Sequence, residues 1–342
     1  MRIYRIVSYF LVIISCAILY SCRQQAQKPV DLPDYIKVTD FRGKEIILKK
    51  PAERIICLIE SALSGIYMLN AENRVVGIPS AVYDESVSKY YADLDDRIRS
   101  GSISVPGNWD FMNIESVVAL QPDLVIIWAS QSEAIESLEN RGIPVYAVFL
   151  KSFSDVYREV KDIGLLTGKS QRADSLLSYT RNEIGKLTTE ISESDLEKKE
   201  IYFVWSQGLL ETAGTSSTVN ELIELAGAVN SCTSDQEHVV INKENLLEWN
   251  PDAIVMWHND LTDPFDIMNL PELQYLNAVR YKQVYELPSV FMCDLWTLKF
   301  PFAVKLLTKW IYPDAFGDMN MEEEQKEMLL ELYGQNGNKL FK

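Results

Sequence analysis

The chain has 342 residues, 33 Lys plus Arg against 49 Asp plus Glu, two His and a formal charge of −16. At about 150 residues per domain the length suits a two-domain protein, and 47% hydrophobic with 11% aromatic residues excludes a disordered chain. The negative charge argues against a nucleic-acid binder, which needs a basic face to displace counterions, and two His exclude a His-rich zinc or manganese centre.

Residues 1–22 read as an address. Arg2 and Arg5 precede an apolar run, Ile6 to Leu19, too short for a comfortable membrane span and of signal-peptide length. The run ends in Leu19-Tyr20-Ser21-Cys22. This resembles the bacterial lipoprotein signal, whose Cys is acylated and becomes the new N-terminus. Residues 1–21 are therefore expected to be removed, Cys22 lipidated, and 22–35 a polar tether. Cys57, Cys232 and Cys293 are widely spaced, with no C-x-x-C pair. They are expected to be buried as small hydrophobes rather than bonded in a disulfide framework.

Ile36 to Phe41 and Glu45 to Leu48 flank Arg42-Gly43-Lys44 as a predicted β-hairpin. A strand at 54–59, a helix at 61–69 and a strand at 74–78 follow. The polar, aromatic stretch 80–108 gives no clear element. A helix at 114–120, strand 124–128, helix 133–140 and strand 144–149 complete a first alternating α/β set, the signature of parallel sheet with crossover helices. Residues 154–192 break the rhythm with two helical patterns separated by Gly168. The second places Ala173, Leu176, Leu177, Ile184, Leu187 and Ile191 at helical spacing. The rhythm then restarts with strand 201–206, helices 219–226 and 245–249, strands 253–257 and 283–287, and helix 302–311. An amphipathic helix at 321–332 ends the chain.

An internal repeat is the most informative feature. NIESVVALQPDLVIIW (113–128) and NKENLLEWNPDAIVMW (242–257) share Asn113/Asn242, Glu115/Glu244, Pro122/Pro251, Asp123/Asp252 and Trp128/Trp257, at an offset of 129 residues. Asn caps a helix, and Glu suits the positive end of its dipole. Pro-Asp stops the helix and turns the chain into a strand. Each copy delivers a Trp to the C-terminal end of a buried strand, where open parallel sheets bind ligands. Helix–turn–strand units of this kind also recur for purely structural reasons.

With VTDFRGKEIILKKPAERIICL (38–58), RVVGI (74–78) and TAGTSSTVNELIELAGAVN (212–230), the repeat resembles the cluster III, metal-chelate class of substrate-binding proteins of bacterial ABC importers. The resemblance spans about residues 36–316 and implies an α/β fold of two Rossmann-like lobes joined by one long helix, with a ligand cleft between them. The division implied is lobe 36–168, linking helix 169–195, lobe 196–316 and helical tail 317–342. The resemblance also implies a monomeric, lipid-anchored, periplasmic receptor that docks on an ABC permease dimer through Glu115 and Glu244. It implies no enzymatic activity and no resident cofactor, the bound ligand being a metal chelate.

Aromatic faces suit a bulky chelate. Trp109, Trp128, Trp205, Trp257 and Trp296 lie at strand ends or in loops expected to face the cleft, with Trp109 and Trp296 leading. Trp249 and Trp310 sit in helices and read as packing. Tyr83, Ser206, Gln207, His238, His258, Asp294 and Lys299 are polar candidates, each equally at home as an ordinary loop residue. Thr212-Ala213-Gly214 before the helix at 219 could hold an anion or simply cap it. No G-x-S-x-G elbow is present and His is scarce, which argues against a hydrolase. The expectation is a receptor for an iron chelate (siderophore or haem) or a corrinoid. A molybdate or tungstate receptor of the same fold is the alternative, and a non-transport envelope lipoprotein that senses a ligand or binds a partner is the reading from another class.

Overall fold

The computed structural model describes residues 35–341. The expected signal, Cys22 and all but the last residue of the tether lie outside the described residues. β1 (Ile36–Thr39) and β2 (Glu45–Leu48) pair antiparallel, Ile36 opposite Leu48. Their turn is held by Asp40, whose Oδ1 accepts from the backbone N–H groups of Arg42 and Lys44 at 2.9 and 3.0 Å.

The first lobe is built on a parallel sheet of order β5-β4-β3-β6-β7. Its strands are β3 (Ile55–Cys57), β4 (Val75–Pro79), β5 (Ser104–Gly107), β6 (Leu124–Trp128) and β7 (Val145–Val148). β3 and β7 are buried at every position, as a sheet covered on both faces requires. The unassigned stretch 80–108 holds a 3-10 turn at Ser80–Tyr83, helices Glu85–Leu94 and Asp96–Arg99, and the edge strand β5.

The second lobe has the parallel order β10-β8-β12-β13, from β8 (Glu200–Val204), β10 (Val229–Asn230), β12 (Ala253–Met256) and β13 (Val284–Glu286). Beside it stands a short antiparallel ribbon, β9 (Glu211–Ala213) with β11 (His238–Val240), which the sequence pattern did not suggest. The lobes are joined by the linking helix Ser170–Glu193. Its 24 residues span about 36 Å at 1.5 Å each. Gly168 turns the chain into it at φ +66°, and a Cβ there would lie 2.9 Å from Pro51.

The repeat is a repeat of geometry. Asn113 and Asn242 cap their helices by accepting from the N–H groups of Ser116 and Asn245. Gln121 and Asn250, again 129 apart, both adopt left-handed backbone before the Pro-Asp turn, with φ +49° and +44°. Asp123 accepts from the N–H groups of Glu53 and Arg54, and Asp252 from that of Glu200. Each Asp thus ties its turn to the start of the neighbouring central strand.

The largest apolar core is continuous through both lobes. It includes Ile55 and Ile126 of the first, Phe203 and Val255 of the second, and Leu329, Leu332 and Tyr333 of the tail.

Candidate functional site

The strand order reverses between β3 and β6 in the first lobe and between β8 and β12 in the second. At such a switch point neighbouring crossovers leave in opposite directions and open a crevice at the strands' C-terminal ends. Trp128 ends β6, Trp205 follows β8 and Trp257 follows β12, so three of the candidate Trp residues stand at the two switch points.

In the second lobe they form a cluster with Trp296, from the segment after β13. Ring centroids are 5.5 Å apart for Trp205–Trp257, 5.7 Å for Trp257–Trp296 and 6.2 Å for Trp205–Trp296. The His238 ring also lies nearly parallel to Trp205, at 10° and 6.2 Å. Its Nε2 is 2.5 Å from Glu211 Oε2 across the β9–β11 ribbon. Trp257 is 8% exposed and forms the buried side of the cluster, while Trp205 and Trp296 are half-buried. The Nε1 of Trp205 is buried without a hydrogen-bond partner. An indole N–H can only donate, and an unsatisfied buried donor is an expense that an acceptor on a ligand would remove.

His258 follows Trp257. Its Nδ1 is 3.0 Å from Glu286 Oε1, within ion-pair range but not aligned as a hydrogen bond. Glu286 Oε1 also accepts from the Asn259 N–H, which fixes the loop beyond β12.

In the first lobe Trp109 is 62% exposed on the loop after β5. The loop is rigidly held. Asn108 Oδ1 accepts from the N–H groups of Asp110 and Phe111, Gly107 bridges to Met112, and Gln131 donates to the carbonyls of Asn108 and Trp109. A cavity of about 470 Å³ lies between Trp109, Phe111, Met112 and Gln131. Phe111, equally exposed, was not singled out from the sequence. Tyr83 is exposed and only loosely tied, its hydroxyl 3.4 Å from the Ile98 carbonyl.

Lys299 does not line an open surface. It is wholly buried, donates to Ser64 Oγ at 3.2 Å, and sits 3.8 Å from the Phe291 ring centroid. The expectation of a ligand contact at Lys299 is therefore corrected for this conformation, because its ammonium is used to join the lobes. Burial lowers its proton affinity, opposed by the nearby carboxyls of Asp294 and Glu60. Asp294 is also buried. Its Oδ1 accepts from the Trp296 N–H, and burial, then the charge of Glu60, pushes its carboxyl up to about 7. Glu60 itself follows β3 at the switch point and accepts from the Tyr91 hydroxyl at 2.5 Å. Trp249 tilts against Tyr202 and Trp310 stacks on Tyr285, both within the second lobe. Cys57, Cys232 and Cys293 are free and buried.

Glu115 and Glu244 are exposed in the first turns of their helices. Among the described residues no hydrogen bond or ion pair engages either carboxylate. Each has an exposed apolar residue three positions on, Val118 (39%) and Leu247 (43%), and another four positions before, Phe111 (62%) and Val240 (69%). All three pairs keep the offset of 129.

The model of the family described as periplasmic binding protein matches residues 55–291. The chain belongs to the periplasmic binding protein family. This binding protein is 27% identical over 292 residues to YvrC of Bacillus subtilis, an uncharacterized ABC transporter substrate-binding lipoprotein, covering 82% of this chain and 87% of that one. It is 23% identical to the molybdate-binding protein MolA of Haemophilus influenzae, over 93% and 96% of the two chains. The MolA crystal structure superposes with a TM-score of 0.75 at 21% identity, covering 87% of this chain and 97% of that one. Helicobacter pylori CeuE, in a Ni–His complex, also gives 0.75, at 20% identity over 90% and 98%. The cluster III resemblance and the two-lobed α/β fold are thereby borne out. The binding protein is a substrate-binding component of the ABC transporter type, acting on the periplasmic side of the envelope, and its relatives are transport receptors rather than enzymes.

Proposed function

We propose that this binding protein is the lipid-anchored receptor of an ABC importer. It captures a metal chelate, either an iron siderophore or haem or a corrinoid, and delivers it to the permease. The observation that carries this reading is the Trp205–Trp257–Trp296 cluster at the switch point of the second lobe. Large, stiff aromatic faces give contact area to a bulky ligand at low entropic cost. The CeuE structure, similar in fold, is that of a Ni–His complex.

A second reading, a molybdate or tungstate receptor, is favoured by the unpartnered Trp205 N–H and by the likeness to MolA along nearly the whole chain. Titration of tryptophan fluorescence with ferric siderophores, haem, cobalamin and molybdate separates the two. Quenching by a chelate and not by molybdate supports the first reading. Quenching by molybdate alone replaces it with the second.

For delivery, Glu115 and Glu244 are the proposed contacts to basic residues on the permease. Two free carboxylates, each between exposed apolar side chains, combine orientation by charge with burial of apolar surface. Cys22 is the proposed anchor, and a Cys22→Ser chain is expected in the soluble fraction.

A further inference from the structure

The tail beyond the second lobe lies outside the family match, which ends at residue 291. Its helix, Met321–Tyr333, returns to the first lobe. There the Tyr333 hydroxyl is 2.7 Å from Ser64 Oγ, on the helix Glu60–Met68, and the same oxygen accepts from Lys299 of the second-lobe chain. Three segments, one from each lobe and one from the tail, thus meet at one hydroxyl. The Phe291 ring, also from the second-lobe chain, stacks on Tyr90 of the first lobe at 4.4 Å and lies 6.0 Å from Tyr333.

Two cations complete the attachment. Arg172, at the start of the linking helix, donates to the carbonyls of Met68, Glu331 and Leu332. It therefore binds the C-terminal ends of two helices at once, where their dipoles favour a positive charge. Lys305, on the helix Phe300–Ile311, lies between Glu183 of the linking helix and Glu324 of the tail helix, at 2.6 and 2.5 Å. It is mostly buried, so its pairs are less screened than surface pairs. Gly334, at φ +58°, then turns the chain, and the 3-10 segment Gly334–Leu340 folds back with Leu340 buried.

We propose that the tail helix is a brace across the lobes, which acts with the linking helix and the direct Lys299–Ser64 and Phe291–Tyr90 contacts to fix their separation and hold the cleft at one width. A single connecting helix leaves bending as the soft motion. A second, hydrogen-bonded crossing removes that freedom before ligand arrives, so binding loses less conformational entropy.

The test uses the full chain carrying Arg172→Gln and Tyr333→Phe, which remove the hydrogen bonds tying the tail to the helix Glu60–Met68 but keep a helix-compatible residue and an aromatic ring. Fluorophores introduced as unnatural amino acids at exposed Glu136 and Glu248 report the distance between lobes by single-molecule energy transfer. Hydrogen exchange reports local opening. The expected result is a broader inter-lobe distance distribution and about tenfold faster exchange in 60–69 and 321–341, with β3 and β8 protected as before. A chain ending at Gly317 is expected to broaden the distribution further, and should it fail to fold, the double variant decides. An unchanged distance distribution in the double variant overturns the proposal. So does an equal loss of protection in β3 and β8, which would make the tail ordinary core.

Discussion

The rings of Trp205 and Trp296 lie 8° from parallel with centroids 6.2 Å apart, although 90 residues separate them and different elements carry them. Trp205 is set by the end of a central strand, Trp296 by a loop whose Asp294 carboxylate accepts its N–H. If these rings form the ligand wall, Trp296→Ala is expected to weaken the ligand identified by quenching about 10- to 100-fold, the range of an aromatic anchor. Isothermal titration checks this. Unchanged affinity would assign the cluster to folding alone.

Charge reversal at Glu115 and Glu244 together is expected to abolish import while ligand affinity survives. Both carboxylates are exposed and have no partner within the described residues, so the substitutions disturb no internal pair. Uptake by cells and titration of the purified variant give the two readings. Normal uptake would sink the docking role and favour a sensor over a transporter.

Glu159 is buried, and one of its carboxyl oxygens has no partner. Burial, then the charges of Asp294 and Asp162, pushes it from 4.5 up to about 8. The folded protein therefore holds a proton that the unfolded chain releases between those values. Stability from this group is complete below pH 4.5 and falls as pH rises toward 8, by at most about 1.4 kcal/mol per pH unit. Glu159→Gln, neutral at every pH, is expected to flatten the dependence of Tm on pH across that window. A variant with the wild-type slope would refute the assignment.

Gly107 leaves no room for a side chain, because a Cβ would lie 2.3 Å from the Phe111 carbonyl oxygen. Gly107→Ala is expected to cost about 1–3 kcal/mol and to displace the Trp109 loop. Denaturant unfolding measures the first effect. Quenching of Trp109 fluorescence by iodide, in a chain with the other loop tryptophans replaced by Phe, measures the second.

Much of the fold was legible because the parallel strands are short, apolar and buried on both faces. β6 falls at 124–128 as expected, and the Asn caps and Pro-Asp turns marked the ends of the repeated unit. β5 escaped because it is a four-residue edge strand interrupted by Pro106, with only Pro106 buried. The β9–β11 ribbon escaped because its two three-residue strands are too short to show a period. At the site, the repeat pointed to Trp128 and Trp257 by position. It could not show that Lys299 is buried, since that depends on Ser64, a residue 235 positions away.

The paired Asn, Glu, Pro-Asp and Trp positions have one more consequence. A face whose halves carry the same acid and the same apolar neighbours offers two like sets of contacts. On the proposed docking, a two-fold-symmetric permease could meet both halves with one set of residues, one copy on each of its two like subunits. The copies diverge at Trp109 and His238, which occupy matching positions, so there the two permease subunits would meet different side chains.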